Sequence, residues 1–154
     1  MKSPLIKSLL WLIILACAPA YAQTSTLDLG SGQKIPIHIV VEDIGKATVT
    51  FEMAAREALN LYPGRFEIRD DVWLIFYISG TAPKGERETQ GYQIQIFEHT
   101  SLPVSHNGVK KPYHGEFVFA SGGGSVQGDL AFKAQSFKQT AYEVLKSFLQ
   151  NIDN

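Results

Sequence analysis

Val72-Trp73-Leu74-Ile75-Phe76-Tyr77-Ile78-Ser79 is the most apolar stretch downstream of the amino terminus. Alternation along an extended chain puts Val72, Leu74, Phe76 and Ile78 on one face and Trp73, Ile75 and Tyr77 on the other. Both faces are apolar, and β-branched and aromatic residues dominate. That pattern predicts a central strand covered on both sides. The second cover is open at this level: a helix, a loop or a partner protein would each serve.

The neighbouring segments read outward from this strand. Residues 65–70 (RFEIRD) alternate Phe66 and Ile68 with charges, as a half-buried strand does. Residues 47–62 place Phe51, Ala55, Ala58 and Tyr62 at helical spacing, with Glu52 and Arg56 as a favourable i,i+4 pair. Pro63-Gly64 stops that helix. Residues 34–42 (KIPIHIVVE) predict a strand, with Pro36 at an edge or strand-initial position because it has no N–H to give.

On the other side, residues 80–90 (GTAPKGERETQ) form a polar turn and residues 91–99 (GYQIQIFEH) alternate as a strand. Residues 100–114 (TSLPVSHNGVKKPYH) are expected to be a long loop, 115–120 (GEFVFA) a strand, and 121–125 (SGGGS) a flexible link. Asp129 is placed to cap a last helix. Its stripe is Leu130, Ala134, Phe137, Ala141, Leu145, Phe148 and Ile152. The order is β-α-β-β-β-β-α. It predicts an α+β two-layer sandwich, a mostly antiparallel sheet of about five strands with two helices laid on it.

The amino terminus sets an expected compartment. Lys2 and Lys7 precede an apolar run from Leu9 to Ala16, and Ala20 and Ala22 form a small-residue cleavage pattern before Gln23. Basic flank, apolar core and cleavage site in that order describe a signal peptide over residues 1–22. The run falls short of the roughly 20 apolar residues a spanning helix needs. Residues 23–33 are a polar lead-in and 34–154 a single domain. A second processing site, Ile14-Leu15-Ala16-Cys17, loosely matches a lipobox, so the alternatives are a periplasmic or secreted protein and a lipoprotein anchored at Cys17. Cleavage before Gln23 removes the single Cys, and with it thiol catalysis, thiolate metal sites and disulfides. It leaves 12 basic against 15 acidic residues, an acidic chain without the basic patch that nucleic acid requires.

Candidate chemistry is sparse. His99, His106 and His114 fall close together in sequence, and with Glu98 or Glu116 they are candidate zinc ligands. Their spacing matches no short helical or turn-based ligand motif, and a loop that carries exposed histidines by chance accounts for them more simply than a metal site does. The Gly-x-Ser-x-Gly elbow and the phosphate-loop pattern are absent, and no cofactor motif occurs. Asp70-Asp71 and Glu42-Asp43 are adjacent on strands, so their side chains diverge. No constellation identifies a catalytic site. Lys110, Lys111 and Tyr113, in the expected long loop, are the candidate partner-binding residues.

The helix ending in REALNLYPGRFEIRDD, with Gly64-Arg65-Phe66-Glu67-Ile68 opening the next strand, resembles small α/β domains of bacterial envelope proteins. These are the TolB amino-terminal domain, the periplasmic domain of the curli secretion channel and the LpoB-type activators of peptidoglycan synthases. The likeness covers residues 35–152. It departs at Glu98-His99-Thr100-Ser101, where a Thr-Gly turn is usual. The resemblance implies a fold and a compartment and transfers no functional residue. Together these readings point to an exported protein-binding module that assists secretion or envelope assembly, or regulates an envelope enzyme. Two alternatives stay open: a periplasmic immunity or inhibitor protein against a toxin or hydrolase, and a His-dependent metal hydrolase.

Overall fold

The stretch that decides the fold is a strand at the middle of a five-stranded sheet. In chain order the elements are β1 (Ile35–Val41), a 3-10 turn (Gly45–Ala47), α1 (Thr48–Asn60), β2 (Phe66–Ile68), β3 (Leu74–Gly80), β4 (Gln90–His106), β5 (Val109–Val126) and α2 (Leu130–Ile152). The computed structural model describes residues 33–85 and 88–153, and the backbone alone at 102–104, 106 and 113. The predicted leader, Cys17 and nearly all of the lead-in lie outside the described residues.

The sheet order is β2-β1-β3-β4-β5. β1 runs parallel to both neighbours, whereas β3, β4 and β5 are antiparallel. The parallel ladders cover only the two halves of β1, and the antiparallel ones run the full lengths of β3 and β4. The fold is therefore an α+β sandwich with a mixed, mostly antiparallel sheet and two helices. Pro36 is strand-initial and lies inside the sheet, opposite Glu67 of β2.

β2 and β3 occupy opposite sides of β1 and are offset along it. Ile68 is level with Ile37, and Ile75 is level with His38. The chain passes from one side of β1 to the other through residues 69–73. Parallel strands lying level need a crossover of about a dozen residues. The end-to-end offset removes that need. Where the chain crosses, Asp70 Oδ1 comes within 3.8 Å of His38 Nε2. Arg69 and Asp71 brace the crossing by a two-pronged ion pair at 3.0 and 2.9 Å, and the Arg69 guanidinium holds the Asp71 carboxyl below its ordinary range.

One face of the sheet carries the helices. Ile35, Ile37, Leu74, Phe76, Ile78, Ile94 and Ile96 are buried there, against Phe51, Ala55 and Ala58 of α1 and Phe137, Ala141, Leu145 and Phe148 of α2. Three rings lock the layers. Phe51 stacks on Phe137 at 4.3 Å, and Tyr92 meets both edge-on at 5.5 and 5.3 Å. Asp129 caps α2 by accepting from the Phe132 N–H at 2.8 Å. α1 ends at Asn60 with Leu61 as a right-handed C-cap, two residues before the end that the sequence suggests. Pro63 and Gly64, the latter at φ +77°, make a separate turn that the Arg65 N–H closes by donating to the Tyr62 carbonyl at 3.1 Å. Among the described residues no helix is long and apolar enough to cross a membrane.

Residues 100–114 are strand, where the sequence suggests a loop. Asn107 and Gly108, at φ +52° and +76°, make a two-residue turn joining β4 to β5. Two consecutive left-handed residues match the right-handed twist of a hairpin. β3 begins opposite Glu98, so from Thr100 onward β4 has only β5 beside it. Residues 100–106 with their β5 partners therefore project as a two-stranded arm, about 23 Å long at about 3.3 Å per residue.

Residues 121–125 are likewise strand and not a link. A Cβ at Gly122 would lie 2.7 Å from Val144 Cγ2, and the Tyr92 phenol sits 3.2 Å from where a Gly124 Cβ would be. The glycines let α2 and the Tyr92 ring approach the backbone. A bulge opposite Ile96 and Phe97 leaves Phe119 as an extra residue on β5. Phe117 and Phe119, two residues apart, share the helix side, and the bulge keeps Ala120, opposite the buried Ile96, on that side as well. Their rings lie 4.8 Å apart, and Phe119 meets Phe148 at 5.6 Å.

Candidate functional site

The other face of the sheet has no helix on it among the described residues. The alternation places His38 and Val40 of β1, Ile75 and Tyr77 of β3, Phe97 and His99 of β4, and Glu116 and Val118 of β5 on this side. Both helices pack on the opposite face, so the cover expected over this side of residues 72–79 is not supplied by α1 or α2. Trp73 is 74% exposed and Val118 45% exposed, while Ile75 and Tyr77 are half-buried. Phe97 is 5% exposed, beneath Tyr77 at 6.0 Å and His99 at 5.4 Å. It anchors the patch from below.

The Tyr77 hydroxyl donates to the Glu42 carboxylate. That hydrogen bond is the largest cause of a phenol pushed above its ordinary value, with partial burial and the charges of Glu42 and Glu116 acting in the same sense. A raised phenol keeps its proton longer in the folded than in the unfolded chain. This contribution to stability is present below the ordinary phenol value of about 10 and fades as pH rises through the folded one. In an ultraviolet titration, the difference between wild type and Tyr77→Phe is expected to be one phenol ionising above pH 10. A difference centred at or below pH 10 would show that the Glu42 bond does not form in solution.

Where the arm leaves the sheet, an open cleft of about 490 Å³ is lined by Trp73, His99, Thr100, Ser101, His114 and Glu116. The register explains the grouping. His99 pairs with Glu116 and Ser101 with His114. Paired residues of an antiparallel ladder point to the same face, so these four share one side of the arm. The crossing of residues 69–73 over β1 brings Trp73 in as the wall. The Glu116 carboxylate makes no hydrogen bond or ion pair among the described residues.

The sequence candidates separate into groups. His99 and His114 share the cleft. His106 stands at the arm's tip opposite Val109, about 23 Å from His99 along an extended strand. The arm is straight where a folded loop would have gathered the three histidines, and among the described residues no group of three His, Cys, Asp or Glu is close enough to hold a metal ion. Lys110 and Lys111 are exposed near the tip. They are consecutive, so they face opposite sides of the arm, and Lys110 lies about 20 Å along β5 from Glu116. Tyr113 pairs through its backbone with Leu102. Trp73 is the site residue that sequence reasoning did not single out. Its signal was the apolar run Trp73, Ile75 and Tyr77 on the second face of residues 72–79, in a chain with two long helical patterns. Compared with protein-family models, with curated proteins and with solved structures, this chain matches none.

Proposed function

We propose that this protein is an exported binding module of the bacterial envelope, which docks a partner protein on the open face of its sheet. In this role it assists secretion or envelope assembly, or regulates an envelope enzyme. The observation that carries the reading is the apolar row of Trp73, Ile75, Tyr77 and Val118, which no helix covers among the described residues. Contiguous apolar surface of this kind marks interaction sites more often than scattered exposed residues do. Tryptophan and tyrosine are enriched among residues that dominate binding energy. The signal-peptide pattern and the resemblance to envelope domains are what support the envelope as its compartment.

The projecting arm favours one variant of the same reading. A two-stranded arm about 23 Å long fits insertion into a concave partner, as an inhibitor or immunity protein would use it. The test is affinity capture from an envelope extract with the purified protein as bait, and mass spectrometry of what it retains. The expected result is a stoichiometric partner that is retained by the wild type and reduced at least tenfold by Trp73→Asp. Retention unchanged by Trp73→Asp would remove the open face from the account. The partner's identity then separates assembly from inhibition.

A further inference from the structure

We infer that the cleft at the root of the arm receives a cationic side chain, an arginine or lysine on an extended segment of the partner protein. The inference rests on the binding reading above and names the chemistry of one contact within it. Three features carry it. First, Trp73 presents an indole that is 74% exposed on one wall of the cleft. Tryptophan is the best cation–π acceptor among the side chains, and arginine its commonest guest. Second, Glu116 lines the same cleft, exposed, and makes no hydrogen bond or ion pair among the described residues. The carboxylate attracts a cation from solvent and gives a neutral guest of the same shape no such gain. Third, the chain's own cations near this face are committed or distant. Arg69 is held by Asp71 at 2.9 Å, and Lys110 is about 20 Å away along β5.

The remaining charged and titratable groups agree with this assignment. On the adjoining sheet face Glu42 accepts from the Tyr77 hydroxyl, so a second carboxylate stands on the same side of the sheet as Glu116. The histidines on the cleft, His99 and His114, offer ring nitrogens to a guanidinium's N–H groups when neutral. Beyond Thr100 the β4 edge has no strand beside it, so an extended segment can lie along the arm while its basic side chain enters the cleft.

The probe is an acetylated, amidated peptide with alternating glycine and arginine, set against the same peptide with glutamine for arginine and against chitotriose. The readout is the Trp73 indole N–H in a proton–nitrogen correlation spectrum of the full chain, assigned with Trp73→Phe. The arginine peptide is expected to shift that resonance to saturation, and Glu116→Gln to weaken it about fivefold or more. The glutamine peptide and the sugar are expected to leave it in place. No saturable shift with arginine, an equal shift with glutamine, or a shift with chitotriose alone would overturn the inference, and the last would make the cleft a glycan site. A captured partner that is lost on Trp73→Asp yet indifferent to Glu116→Gln would overturn the cationic contact while leaving the protein-binding reading intact.

Discussion

Replacing Phe137 with alanine is expected to lower the unfolding free energy by about 3–5 kcal/mol. Phe137 is fully buried, stacked on Phe51 at 4.3 Å and met edge-on by Tyr92 at 5.3 Å. It is the point where α1, α2 and β4 all touch. Truncation removes the transfer energy of a ring and leaves a cavity that three separate elements would have to close. Small domains hold only about 5–15 kcal/mol in total, so the loss is a large share of the whole. Urea unfolding followed by far-ultraviolet circular dichroism reads it as a fall in midpoint with an unchanged slope. A loss under about 1 kcal/mol would mean that the three rings do not form the junction between the layers.

The second large effect is expected at Gly122, where valine should destabilise by about 1–3 kcal/mol. Valine normally suits a strand better than glycine does. Here the sign is reversed by geometry, because even the first carbon of a side chain would stand 2.7 Å from Val144 Cγ2. Val144 is itself buried on α2 and β-branched, so it has little freedom to swing aside. Ser121 provides the control. It is exposed in the same strand, and Ser121→Val is expected to be neutral or mildly stabilising. Equal responses at the two positions would show that α2 does not press on β5 through Gly122.

These two positions also show what the sequence could reveal. Phe137 belongs to a long stripe at helical spacing, and its burial was legible because a single face of α2 is apolar. Gly122 reads in the sequence as part of a link, since three consecutive glycines carry no strand signal of their own. Their reason for being there lies in Val144 and Tyr92, residues distant in sequence. The arm was missed for a related cause. Ser101, Ser105, Lys110 and Lys111 are exposed on it, Pro103 and Pro112 argue against a strand in the sequence, and Asn107-Gly108 is the local mark of the hairpin. The cleft was half legible. His99 ends one predicted strand and His114 directly precedes the next, but Trp73 enters only because β2 and β3 lie on opposite sides of β1, and nothing local encodes that offset.

The central claim is that the open face of the sheet, and not the helix face, meets the partner. Two exposed aromatic residues allow a direct comparison: Trp73 on the open side and Phe132, 60% exposed, on α2. Each is replaced by aspartate in the purified protein, folding is verified by circular dichroism, and both variants are used as bait in envelope extract beside the wild type. The account predicts that Trp73→Asp loses the captured partner while Phe132→Asp keeps it. Loss on Phe132→Asp with retention on Trp73→Asp would contradict it and move the interface to the helices.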